Sequence, residues 1–125
     1  MNGYLATPEM GAGPAVLVIT EPASADQGRR FCDSLAAEGF TALAPELRPG
    51  HTEPDLAEAI ELLKPHPAVR GHGVGVIGFD AGAALARWLA EQRPADVVVV
   101  DTHDSEDYER LDWIRTLEFL RKNLG

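Results

Sequence analysis

Short apolar runs alternate with longer amphipathic stretches along this chain, and that alternation leaves few folds open. Ala15-Val16-Leu17-Val18-Ile19 is an unbroken apolar run of strand length, the pattern of a strand buried on both faces. Thr41-Ala42-Leu43-Ala44, closed by Pro45, is a second, and Val74-Gly75-Val76-Ile77-Gly78-Phe79 a third. Asp96-Val97-Val98-Val99-Val100 is a fourth, and Gly3 to Thr7 suits a short edge strand ended by Pro8. Between them lie helical patterns. One begins near Ser24 or Asp26 as cap, carries Phe31, Leu35 and Ala36 on its apolar face and ends at Gly39. Others run from about Pro54 to Lys64, from Ala81 to Gln92, and from about Glu106 to Leu124, the last with Leu111, Ile114, Leu117 and Leu120 in register. Strands alternating with helices predict right-handed crossovers and an α/β fold: a three-layer α/β/α sandwich around a mostly parallel sheet. In such sheets ligands bind beyond the carboxyl ends of the strands. The residues to examine are therefore Thr20 to Ala23, Pro45 to Arg48, Asp80 to Gly82 and Asp101 to Asp104.

The chain has 125 residues, which suits one domain over residues 1–125. Its formal net charge of -9 repels phosphate backbones and anionic membrane surfaces, so neither nucleic acid nor membrane is expected as a partner. No apolar run approaches the length that spans a bilayer, and Met1-Asn2-Gly3-Tyr4 lacks the basic region of a signal peptide. A single cysteine, Cys32, excludes an intrachain disulfide, and the expected address is the cytoplasm.

Gly78-Phe79-Asp80-Ala81-Gly82 has the form G-x-D-x-G, directly after a strand and before a helix. A nucleophile at the centre of such a turn sits on a sharp elbow above the sheet, and the flanking glycines avoid collision with the neighbouring strand and helix. The N–H of Ala81 then points where an oxyanion would form. The alternative is an ordinary tight turn in which Asp80 caps the helix.

At this point the chain resembles the dienelactone hydrolases. Gly39-Phe40-Thr41-Ala42-Leu43-Ala44-Pro45-Glu46-Leu47 is similar to the family segment EGYxALAPDLY. His66-Pro67-Ala68-Val69 and Val74 to Phe79 are similar to its approach to the nucleophile, Arg115 to Arg121 to its closing helix, and Gly3 to Pro8 to its opening strand. The resemblance implies a hydrolase of the α/β-hydrolase superfamily acting on a small organic molecule, with no cofactor and no metal. Two departures matter. The family elbow is G-F-C-x-G, and Asp80 stands at the cysteine. The family pattern is also longer: beyond the Val97 to Val100 run it carries further strands, the catalytic aspartate and most of the substrate cap, so its triad does not carry over whole.

By that resemblance, Glu21 matches a glutamate beside the resting nucleophile, and His103 is the candidate catalytic histidine because it precedes the last helix. Pro22 occupies the position that donates the second oxyanion-hole N–H, and proline has none to give, leaving Ala23 as the substitute. Arg48 follows its strand toward the same opening, or pairs at the surface with Glu46 or Glu53. Glu21 and His103 also read as solvated loop residues. Chemically, a carboxylate attacking an ester gives an anhydride, whereas attack on an sp3 carbon gives a stable ester intermediate that a histidine-activated water opens. Alternatively, Glu21 and Asp80 lie close enough for like charge to raise one pKa, making an acid/base pair. Two functions stay open: an enzyme using Asp80, Glu21 and His103 on an ester, lactone or related small molecule, and a non-catalytic descendant binding a small molecule or protein in the same pocket.

Other signals point to structure. Gly71-His72-Gly73-Val74-Gly75 precedes a strand instead of following one, so it is no phosphate loop. Asp101, His103, Asp104, Glu106 and Asp107 fit an acidic helix N-terminus better than a metal site. Cys32 reads as core, and Trp88 and Trp113 as helix-to-sheet packing. The apolar Val97 to Val100 strand would be an exposed edge, and a second copy of the chain covering it predicts a homodimer.

Overall fold

The computed structural model describes residues 3–103 and 113–124. Its five-stranded sheet has the order β1-β3-β2-β4-β5. These strands are β1 (Gly3–Ala6), β2 (Gly13–Ile19), β3 (Thr41–Pro45), β4 (Val69–Phe79) and β5 (Val97–His103). β1 runs antiparallel to β3 and all other pairs are parallel, as the crossover helices require. The helices are α1 (Ala25–Ala37), α2 (Thr52–Leu63), α3 (Ala81–Gln92) and α4 (Trp113–Leu124), and a short 3-10 turn, Pro22–Ser24, leads into α1.

Alternation along β2 divides the core in two. Val16 and Val18 pack with Phe31, Cys32 and Leu35 of α1, Phe79 of β4, and Leu117 and Leu120 of α4. Ala15, Leu17 and Ile19 face the other way, onto Leu56, Ala59, Ile60 and Leu63 of α2 and Ala86 and Leu89 of α3. A central strand whose every side chain from Ala15 to Ile19 is buried needs helices on both faces, and it has them. Trp113 and Trp88 pack against the first and second core respectively. Among the described residues no helix is long and apolar enough to cross a membrane.

Several elements differ from the expected bounds. Neither Ser24 nor Asp26 caps α1 through its side chain; Asp26 pairs instead with Arg29 one turn on. β4 begins at Val69, so Gly71 to Gly75 lies inside the strand. β5 continues past Val100 through Asp101, Thr102 and His103, because its polar end still pairs with Ile77, Gly78 and Phe79 of β4. The β4–β5 register shifts between Val74 and Gly75: these pair with Val97 and Val99, leaving Val98 as an extra residue. Val97 therefore joins the core beside α2 and α3, whereas Val99 joins the one beside α1 and α4. On α4, Leu117 and Leu120 are buried as expected, but Ile114 is 68% exposed, and Thr116 is buried in its stead. Leu111 and the expected helix start at Glu106 lie outside the described residues.

Candidate active site

The parallel strands β2, β4 and β5 deliver their carboxyl ends side by side: Ile19 pairs with Gly78, and Phe79 with His103. Directly beyond β4 the chain bends into α3 at Asp80, whose φ of 55° and ψ of -120° make it the one non-glycine residue at positive φ among those described. An L-residue there costs roughly 1–3 kcal/mol, which surrounding structure must over-determine. Two close approaches do so. A Cβ on Gly78 would fall 2.4 Å from the Gly82 carbonyl oxygen, and one on Gly82 would fall 2.3 Å from the Ile19 carbonyl oxygen. Both contacts are with backbone and cannot relax cheaply, so the turn closes only with glycine at both positions. The Asp80 N–H donates to the His103 carbonyl (2.9 Å), and the Ala83 N–H to the Asp80 carbonyl (3.0 Å). The Asp80 side chain makes no capping hydrogen bond to α3, so the helix-cap alternative is not the geometry found. Ala81 opens α3, where the first N–H groups have no partner within the helix.

His103 is the last residue of β5, not part of a loop. Its ring stacks on Phe79 with centroids 5.3 Å apart and planes at 26°. Its Nε2 lies 2.9 Å from Oδ2 of Asp101, two residues back on the same strand face. The His103 and Asp101 side chains are 14% and 24% exposed, so the pair is shielded without being sealed. Sequence reasoning placed Asp101 in an acidic helix start and missed the pairing. The signal was the i, i+2 spacing of acid and imidazole, visible only once the strand is known to continue past Val100. Asp104, Glu106 and Asp107 lie outside the described residues.

Glu21 ends β2's exit, immediately before the Pro22–Ser24 turn, in extended backbone. Pro22 is the first residue of its turn and brings no N–H; Ala23, beside it, is exposed. Arg48 is tied to α2. Its guanidinium reaches Oδ1 of the buried Asp55 through Nη2 (2.7 Å), and its backbone N–H donates to Oδ2 (2.9 Å). Its partner is thus neither Glu46 nor Glu53. These hydrogen bonds hold the Asp55 carboxyl down at about 2. Among the described residues, no three metal-ligating side chains gather in one place. A surface groove of about 710 Å³ lies elsewhere, lined by Thr7, Pro8, Glu9, Met10 and the end of α1. Because β1 is antiparallel to β3, this groove opens at the amino ends of the parallel strands, away from Asp80.

The dienelactone hydrolase family pattern matches residues 1–55. A protein of Aquifex aeolicus named "Putative carboxymethylenebutenolidase" is 32% identical over 120 residues, spanning 75% of this chain and 52% of that one. Protein usf of Aquifex pyrophilus is 30% identical over the same shares. The chain thus spans about half the length of these curated relatives. Among solved structures, DcsB in complex with its substrate analogue superposes with a TM-score of 0.60 at 19% identity, covering 97% of this chain and 50% of its own. The thioesterase domain from the curacin biosynthetic pathway does so with a TM-score of 0.53 at 18% identity, covering 98% and 49%. At such identities these two speak for the fold alone. The elbow, the sheet order and these likenesses together place the chain among the dienelactone-hydrolase-like members of the α/β-hydrolase family.

Proposed function

We propose that this chain hydrolyses a small organic electrophile with Asp80 as its nucleophile. The observation that carries the reading is the Asp80 backbone, held at φ 55° on a glycine-locked elbow where glycine itself would be unstrained. A strained position that keeps a carboxylate is a reason to assign that carboxylate work. The carboxylate oxygen attacks an sp3 carbon; the C–X bond breaks, with X leaving as halide or as an epoxide oxygen that takes up a proton. The product is an ester on Asp80. Water then attacks the carbonyl carbon of that ester, losing its proton to His103, and the alcohol departs. The Ala81 N–H faces the oxygen that gains charge in this second step. Esters and lactones are the competing substrate class, suggested by the name of the Aquifex aeolicus relative, but carboxylate attack there leads to an anhydride.

The test compares wild type with Asp80→Ala on a terminal epoxide, a haloalkane, a generic ester and a dienelactone. Turnover of the epoxide or haloalkane by wild type alone is expected. Equal background rates for both proteins on all four would remove the enzyme reading. That result would favour a second one, a binding module for small molecules in the same place. Pro22 supports it, since loss of one oxyanion-hole donor typically lowers acyl-transfer rates by about a hundredfold to a thousandfold. The open side of β5 we assign to a second copy of this chain, because among the described residues β5 has β4 as its sole neighbour in the sheet and Val98 on it is 48% exposed.

A further inference from the structure

We infer that Asp101 is the positioning residue that sets His103 for its role as base, an assignment that rests on the Asp80 reading above. Asp101 and His103 lie two apart on one strand and so project from the same face, next to Phe79. With Oδ2 of Asp101 accepting the Nε2–H at 2.9 Å, the neutral ring carries its lone pair on Nδ1. The stacked Phe79 ring closes one face of the imidazole, and the hydrogen bond fixes its rotation about that stack. The Asp80 N–H bond to the His103 carbonyl fastens the base-bearing residue to the elbow, so nucleophile and base share one rigid corner of the sheet. When His103 takes a proton from water, the neighbouring carboxylate stabilises the imidazolium. Acid, base and nucleophile thereby come from the ends of two adjacent strands.

Two measurements test this. In the first, each protein is mixed with a terminal epoxide and the mass on Asp80 is followed by peptide mass spectrometry. His103→Ala is expected to trap the ester. Asp101→Asn is expected to form it at the wild-type rate but open it about tenfold or more slowly, with Asp101→Glu recovering part of the loss. Trapping in His103→Ala with normal opening in Asp101→Asn overturns the role of Asp101 and leaves the Asp80 reading intact. An unmodified Asp80 in every protein, His103→Ala included, overturns the Asp80 reading. The second measurement needs no turnover. A downfield, slowly exchanging Nε2–H resonance, assigned by its absence in His103→Ala, is expected in wild type and lost in Asp101→Ala. Identical imidazole spectra in wild type and Asp101→Ala overturn the inference whatever the epoxide does.

Discussion

Asp80 is where the chemistry of a single residue and the strain of its backbone meet. Its position was legible in the sequence because the two glycines around it and the apolar run before it specify an elbow whatever the rest of the chain does. Each glycine is required by a backbone oxygen within 2.4 Å of where a Cβ would sit. Strain at φ 55° leads to a prediction at this scale. Asp80→Gly removes the strain while adding glycine's own entropy cost, so it should raise stability by about 1 kcal/mol as it abolishes activity. Urea melts of wild type, Asp80→Gly and Asp80→Ala would show it, with stabilisation confined to the glycine variant. Asp101 was not legible in the same way. Its partner is set by how far β5 runs, and its orientation by a phenylalanine on another strand.

Among elements, existence and type followed from apolar patterning, whereas ends and faces followed from neighbours. The central segments of β2, β3 and β4 and the whole of α3 stand where the pattern puts them. β5 outran its valines because β4 still offers pairing partners, a tertiary effect absent from local sequence. Ile114 shows the limit of periodicity: at about 100° per residue it lies well off the stripe formed by Leu117, Leu120 and Leu124, and solvent takes it. The loop after β3 is tied by a charge pair that sequence reasoning assigned to other acids. That pair has a pH signature. The folded pKa of Asp55, about 2, lies below its usual value of 3.8, so its contribution to stability is complete above that usual value. It is lost as pH falls through the folded value. Asp55→Asn should therefore lower stability at neutral pH and flatten the acid limb of a stability curve between about pH 4 and 2. Thermal melts across that range provide the check, and an unchanged acid limb would assign the loss to other carboxylates.

For the molecule as a whole, two cores on opposite faces of one sheet account for the α/β/α layering, and the sheet's two margins differ in kind. β1 is a four-residue edge ending before Pro8, a short margin that discourages pairing. β5 is longer and carries Val98 outward. Association through β5 is expected to give a dimer at micromolar concentration that Val98→Lys dissociates. Sedimentation velocity showing only monomer for the unaltered chain would remove the second copy. The extra residue at Val98 has an effect that reaches beyond the margin. It inverts the parity of everything after it, so that Asp101 and His103 look toward Phe79 and α1, and Thr102 toward Arg87 of α3. Deleting that one valine would only restore a regular ladder with the same pairs, whereas deleting Val100 would turn the polar tip of the strand over. The imidazole would leave the shelter of the phenylalanine ring, and its ring-current shift would vanish from the proton spectrum. A site made of strand ends is, in this chain, addressed by counting residues.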